Sequence, residues 1–128
     1  MKSSTREWMR QAEEDYEAAL DLARRRKRPL DKQVCFHAQQ CVEKYLKARL
    51  NEASIGFARN HDLEQLLAQA MAVEPLWSSF QPVLKKLNEY AVQPRYPGFP
   101  VTKAEAKQAV KDCKSFRKEA RLSLGLRT

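Results

Sequence analysis

The sequence predicts an all-α fold, a four-helix up-and-down antiparallel bundle with a short extra helix. Apolar residues recur at the three- and four-residue spacing that places them on one face of a helix. The 128 residues include only 3 Gly and 6 Pro, which favours helices over a sheet. Capping-box patterns at Ser4–Glu7 and Thr102–Glu105 mark the expected starts of the first and last helices. This length fits a single domain, residues 1–128.

The first two helices are predicted to extend from Ser4 to about Arg25 and from Asp31 to about Asn51. Pro29 ends the first helix because proline lacks the amide hydrogen that a helix interior needs. Asp31 is the expected N-cap of the second helix, since its carboxylate can accept from free backbone amides. Each helix has an apolar stripe, and the two stripes can pack against each other.

The second half of the chain contains three more helical segments. A third helix opens at Asn60 or His61, and a shorter extra helix follows it, with Pro82 beginning a fresh segment. Residues 93–100 hold three prolines and a glycine, which predicts an ordered turn or loop. The last helix ends near Gly125.

The chain is strongly basic, with a formal net charge of +8 at pH 7. Basic residues are densest in Arg24–Arg28 and along the last helix. Such a charge indicates an acidic partner, nucleic acid among them, or serves solubility. The Arg24–Arg28 run either binds phosphates or is a solvated helix end. We expect any nucleotide or RNA binding to be largely electrostatic and to weaken steeply as salt increases.

The three cysteines, Cys35, Cys41 and Cys113, are an odd number, and none lies in a Cys-x-x-Cys pattern. We therefore expect small buried side chains rather than disulfides or a zinc site, and no cofactor. No apolar stretch follows Met1, and no run of about 18 apolar residues occurs. These features predict a cytoplasmic protein that does not associate with a membrane.

Candidate binding residues lie first on the second helix. His37, Gln40 and Lys44 are spaced so that they form one stripe beside the apolar face, with Glu43 and Lys47 next to them. An imidazole, an amide and an ammonium group on one stripe could contact a phosphate or a base. The alternative is a polar helix edge whose histidine bonds to a neighbouring side chain.

Two further pairs of residues are candidates for a ligand or partner site. His61 and Asp62 open the third helix, where a carboxylate is also favoured on electrostatic grounds alone. Arg95 and Tyr96 lie in the proline-rich loop and could bind a phosphate and stack on a base. Alternatively, Arg95 pairs with an acidic residue of the first helix and Tyr96 closes the end of the bundle. The catalytic signatures of phosphate-binding glycine loops, metalloproteases and serine hydrolases are absent from the sequence, so no catalytic residue is assigned.

Several of these segments resemble the HEPN domain family. The string Cys35–Ala48 is similar to the second-helix signature of that family, and Trp8–Leu22 is similar to the helix that precedes it. Arg59–Leu63 resembles an Arg-Thr-His-Asp-Leu turn, and Arg95–Pro97 an Arg-Tyr-Pro element before the last helix. The resemblance implies a four-helix bundle, usually homodimeric, often encoded beside a minimal nucleotidyltransferase in a toxin–antitoxin-like system.

One branch of the family consists of metal-independent ribonucleases with an Arg-x(4–6)-His motif. This sequence departs from that motif. The positions before His37 hold Leu30, Asp31 and Lys32, and those before His61 hold residues 54–56, which contain no arginine. Lysine is a poor substitute for the two-pronged guanidinium, so the motif is not met.

The sequence therefore predicts a HEPN protein that binds a nucleotide or a nucleotidyltransferase partner. A ribonuclease toxin and a purely structural dimerisation module are the alternatives. A homodimer is expected from the resemblance and from apolar surface in apparent excess of one core, including Trp77 and Phe80. The predicted ligand- or partner-binding residues are His37, Gln40, Lys44, His61, Asp62, Arg95 and Tyr96.

Overall fold

The computed structural model describes residues 1–92 and 100–127, apart from the side chains of residues 91 and 92. All regular structure in these ranges is helical, which confirms the predicted fold class. The helices are α1 (Ser3–Ala23), α2 (Asp31–Glu52), α3 (Leu63–Ala70), α4 (Gln81–Val92) and α5 (Lys103–Ser123), and a 3-10 helix (Pro75–Phe80) precedes α4.

Helix α2 lies at the centre of the bundle and packs against α1, α3, α4 and α5. Helices α1 and α2 are antiparallel, because Asn51 near the end of α2 donates to Thr5 near the start of α1. Helix α5 is also antiparallel to α1, because Ala23 at the end of α1 and Lys103 at the start of α5 line the same cavity. This central position explains why α2 contributes much of the core, including Tyr45.

Aromatic side chains fill the core between the 3-10 helix and α5. The rings of Trp77 and Phe80 each lie 5.1 Å from the ring of Phe116, both in edge-to-face geometry. Trp77 is only 4% exposed, and Phe80 is half-buried. The expectation that Trp77 and Phe80 are surplus apolar surface for a dimer is therefore wrong. Leu76, at 86% exposure, is the apolar residue of this segment that faces solvent.

The predicted capping of the first two helices is wrong, whereas that of the last helix is confirmed. The N-cap of α1 is Lys2, two residues before the predicted cap, so the Ser4 hydroxyl accepts from Asn51 instead of capping. Asp31 is the first residue of α2 rather than its N-cap. The Thr102 hydroxyl accepts from the Glu105 amide at 3.1 Å, and the reciprocal bond is also present.

The third helix begins later than predicted because Asp62 caps it. The Asp62 carboxylate accepts from the amides of Glu64 (3.0 Å) and Gln65 (3.3 Å), so α3 starts at Leu63. Helix α3 has 8 residues and α4 has 12, and both pack against α2. The sequence pattern had predicted that the later of these two segments would be the shorter one.

The three cysteines are buried, as the sequence predicted. Burial raises the pKa of the Cys41 thiol well above its usual range, and a hydrogen bond with Cys113 acts in the same direction. A thiol with a raised pKa is a poor nucleophile, which is consistent with a packing role for Cys41. None of the helices in the described part of the chain is long and apolar enough to cross a bilayer.

Candidate functional site

Asp15 of α1 holds two residues of the predicted α2 stripe. One carboxylate oxygen lies 2.8 Å from Nδ1 of His37, and the other accepts from Nζ of Lys44 at 2.5 Å. Asp15 is buried, and both partners are half-buried. The spacing of seven residues on α2 places His37 and Lys44 two turns apart, and the Asp15 carboxylate contacts both side chains. The acidic partner of His37 and Lys44 is therefore Asp15 and not the neighbouring Glu43.

Gln40, the third member of the stripe, turns towards the next face of α2. Its amide donates to Oε1 of Gln39 at 2.7 Å, and Gln39 donates to the Glu43 carboxylate at 3.3 Å. Gln39 also donates to the backbone carbonyl of His61 at 3.4 Å. A chain of amides thus leads from the exposed edge of α2 to the start of α3.

Glu43 is the most deeply buried carboxylate of this region, with a side chain only 2% exposed. It accepts from Nζ of Lys47 at 3.0 Å and lies 2.9 Å from Nδ1 of His61. Lys47 is 8% exposed, whereas His61 is 56% exposed. A buried charge pair is stable only when its remaining hydrogen bonds are satisfied, and Gln39 and His61 provide them. Glu43 therefore fixes the orientation of an exposed imidazole.

A pocket of about 490 Å³ lies in front of this imidazole. The rings of Trp8 and Phe57 form one part of its wall, with centroids 5.9 Å apart, and Nζ of Lys47 lies 5.4 and 5.8 Å from them. The exposed Arg59 has no ion-pair partner among the described residues. The residues that line the pocket are Trp8, Lys47, Phe57, Arg59, Asn60 and His61.

The pocket combines aromatic faces with side chains that are positively charged or can donate hydrogen bonds. Because Glu43 takes the Nδ1 side of His61, the Nε2 atom has no partner in the part of the chain that the structure describes. An imidazole held in this way can accept a proton or donate to an anion. Lys47 and Arg59 add positive charge beside two aromatic surfaces. This combination suits a ligand that has both a flat ring and a phosphate.

The remaining predicted site residues lie elsewhere or are not described. Asp62 caps α3 and also accepts from the side chain of Asn88 at 3.2 Å, contacts that join α3 to α4. Arg95 and Tyr96 fall outside the described residues. Their predicted role in a ligand or partner site therefore stays a prediction.

A second ionic cluster joins α1, α2 and α5. Arg117 makes a two-pronged contact with Glu13 at 2.7 and 2.6 Å and lies 4.2 Å from the ring of Tyr16. Tyr45 donates to Glu13 and accepts from Arg121 at 3.2 Å. Burial opposes ionisation of Glu13, but the hydrogen bonds from Arg117 and Tyr45 outweigh it, and its pKa is lowered. Burial and the bond to Glu13 raise the pKa of Tyr45.

Sequence reasoning missed most of the pocket. Lys47 follows Glu43 by four residues, a spacing that signals an ion pair on one helix face. Arg59 lies two residues before His61 and could have been assigned with it. Trp8 and Phe57 are far apart in sequence, and only the packing of α1 against the α2–α3 connection brings their rings together.

Comparison with known proteins identifies the family. The model of the HEPN domain matches residues 5–122. The chain belongs to the HEPN family. It is also 33% identical over 96 residues to "Putative toxin MJ1304" of Methanocaldococcus jannaschii, a match that covers 70% of this chain and 61% of that protein. The crystal structure of ST0689, described as an archaeal HEPN homologue, superposes with a TM-score of 0.74. That match has 21% identity and covers 96% of this HEPN chain and 98% of the other, and it supports the shared fold.

Proposed function

We propose that this HEPN protein binds a nucleotide in the pocket in front of His61. One observation carries the proposal: the buried carboxylate of Glu43 holds both Lys47 and His61 at the wall of a cavity that also contains two aromatic rings and Arg59. Buried charges are costly, and here they are arranged so that an imidazole projects towards an open space.

Each part of the pocket suits one part of a nucleotide. Trp8 and Phe57 offer faces on which a base can stack, an interaction that tolerates every base. The guanidinium of Arg59 can bind two phosphate oxygens at once, and His61 can donate a further hydrogen bond. The cavity of about 490 Å³ lies within the range of small-molecule sites in proteins.

Calorimetric titration with AMP, GMP, CMP and UMP tests the proposal. We expect saturable binding of at least one nucleotide, and affinity about 10-fold lower in Arg59→Ala, equivalent to about 1.4 kcal/mol. Lys85→Ala, which removes an exposed cation of α4, is the matched control and should bind as the wild type does. Absence of binding by the wild type, or an equal loss in the two variants, would contradict the proposal.

A ribonuclease activity is the second candidate function, favoured by the contact between Glu43 and His61. A carboxylate on Nδ1 leaves Nε2 of His61 able to remove the proton from a ribose 2′-hydroxyl. The 2′-oxygen then attacks the adjacent phosphorus as the bond between phosphorus and the 5′-oxygen breaks. The leaving 5′-oxygen takes a proton from water, which gives a 2′,3′-cyclic phosphate and a 5′-hydroxyl. Arg59 would stabilise the charge on the phosphate. The absent Arg-x(4–6)-His motif makes binding the favoured function. Cleavage of RNA in EDTA that is lost in His61→Ala and retained in His37→Ala would establish the activity.

We further propose a toxin-type role in the cytoplasm, with a homodimer and a minimal nucleotidyltransferase as partners. Support comes from the HEPN family and from the similarity to "Putative toxin MJ1304". Leu76 offers an apolar contact outside the core. Light scattering should give twice the chain mass of 14.9 kDa. A dimer that binds neither nucleotide nor partner would instead indicate a purely structural dimerisation module.

A further inference from the structure

A second cavity, of about 480 Å³, lies between the end of α1 and the first half of α5. It is separate from the pocket at His61. Trp8 in that pocket and Ala23 in this groove are fifteen residues apart on α1, or about 22 Å along the helix axis. The cationic residues that line this basic groove are Arg25, Lys103, Lys107 and Lys111.

The cations of the basic groove are not used to hold the fold together. All four are exposed, and within the described residues none forms an ion pair. Among the described residues that line the groove, Asp31 is the one with a carboxylate. Lys103 is the first residue of α5, at the helix end where the backbone dipole disfavours a cation. Four unpaired cations facing one carboxylate create a positive potential that an anionic ligand would relieve.

The spacing of the lysines indicates the form of that ligand. Lys103, Lys107 and Lys111 follow one another at intervals of four residues, so they rise by about 6 Å per step along one side of α5. This interval is comparable with the separation of successive phosphates along an extended single strand. A row of about 12 Å is longer than one phosphate group requires.

The floor and the border of the groove fit the same ligand. Pro29, Val110 and neighbouring alanines provide an apolar floor on which a ribose or base can rest. The loop Arg24–Arg28 adds further positive charge next to it. Arg28 has a φ of 49°, in the left-handed region that is unusual for a residue with a side chain.

We infer that the basic groove binds the backbone of single-stranded nucleic acid, with the α5 lysines on consecutive phosphates. An acidic protein segment would use the same charges, but it does not carry charge at one regular interval. The inference is independent of nucleotide binding at His61, and the two sites are changed by different substitutions.

Fluorescence anisotropy with a labelled 12-mer of oligouridylate tests the inference. The groove variant is Lys103→Ala, Lys107→Ala and Lys111→Ala together. The charge-matched control replaces three exposed lysines elsewhere, Lys85, Lys86 and Lys118, with alanine. We expect the groove variant to bind at least about 10-fold more weakly. The slope of log affinity against log salt should fall by about 2, because each single-strand phosphate contact contributes about 0.7.

Three results would overturn the inference. Failure of the wild type to bind the 12-mer would do so, as would an equal loss of affinity in the groove variant and the control. Competition with polyglutamate of matched charge distinguishes the acidic-protein alternative, which gains support if polyglutamate displaces the 12-mer at equal concentration. Circular dichroism should show that both variants are folded, and calorimetry with mononucleotides should be unchanged in the groove variant if the His61 pocket functions separately.

Discussion

Glu13 and Glu43 are both carboxylates held by cations within the helix bundle, yet one lies in a cluster that joins helices and the other lies beside a cavity. In the Glu13 cluster, Arg117, Arg121 and Tyr45 all contact Glu13 and so join three helices. Arg121 also donates to the Tyr45 hydroxyl, so the polar groups of the cluster bond to one another. The Glu43 network instead includes His61, a side chain that is 56% exposed at the wall of a cavity.

This difference distinguishes a structural ionic cluster from a candidate binding site. Burial and charge are common to both. What distinguishes the Glu43 network is His61, which lines a cavity together with two aromatic rings and whose Nε2 atom has no partner among the described residues. We therefore expect substitutions in the Glu13 cluster to change stability alone, and those in the Glu43 network to change both stability and binding.

Glu43→Gln should have the largest effect on stability. Neutralising this buried carboxylate leaves the ammonium group of Lys47 without its counter-charge, which should reduce the free energy of unfolding by about 3 kcal/mol. Urea unfolding measures the loss. The double variant Glu43→Leu/Lys47→Met removes both charges and should recover most of the stability but not nucleotide binding. If the double variant is as unstable as Glu43→Gln, the unpaired charge of Lys47 is not the cause of the lost stability.

Arg117→Ala should destabilise the protein by about 2 kcal/mol, less than Glu43→Gln because Glu13 retains 29% exposure to solvent. The substitution removes the two-pronged bond to Glu13 and the stacking on Tyr16. Nucleotide affinity should not change. Lys114→Ala, an exposed neighbour on α5, is the control and should cost under about 0.5 kcal/mol. If the Arg117→Ala protein is fully folded but binds nucleotide more weakly, the distinction between the two regions is wrong.

Tyr45→Phe should reduce stability by about 1 kcal/mol, the usual contribution of one hydrogen bond. Tyr45 lies only two residues from Glu43 on α2, but its hydroxyl belongs to the Glu13 cluster. The substitution keeps the ring in the core and should leave nucleotide binding unchanged. Weaker binding in this variant would indicate that the two regions are coupled through α2.

The smallest effect is a dependence of stability on pH. The pKa of Glu13 is lowered in the folded state, so its ionised form contributes stability above the ordinary glutamate pKa of about 4.3. That contribution is lost as the pH falls through the folded-state pKa. Thermal unfolding from pH 6 to pH 2 should therefore show a shallower acid-induced decrease in Glu13→Gln than in the wild type. Parallel curves would mean that other carboxylates cause the decrease.

The sequence predicted the fold class and part of the site because both depend on local spacing. Helical periodicity gave the helices, and the seven-residue interval placed His37 and Lys44 on one side of α2. It could not predict that Asp15 joins them, since this depends on how α1 and α2 align. The same limit hid the meeting of Trp8 with Phe57.

Errors at the helix ends have a similarly local cause. Ser4 has the right residue type for an N-cap, but the helix begins two residues earlier than the pattern suggests. The Ser4 hydroxyl instead accepts a hydrogen bond from Asn51. Asn60 and Asp62 both suit the start of α3. Contacts with Asn88 of α4 hold Asp62 in the capping position.

The most direct test of the account uses the imidazole signals of the two histidines in the chain. Long-range ¹H–¹⁵N NMR spectra, assigned with His37→Gln and His61→Gln, are recorded during titration with the nucleotide that binds best by calorimetry. We expect the Nε2 signal of His61 to shift and saturate at the calorimetric affinity, while both ring nitrogens of His37 stay unchanged behind Asp15. A shift at His37 alone, or no shift at His61 when the protein is saturated, would contradict the assignment of the binding site.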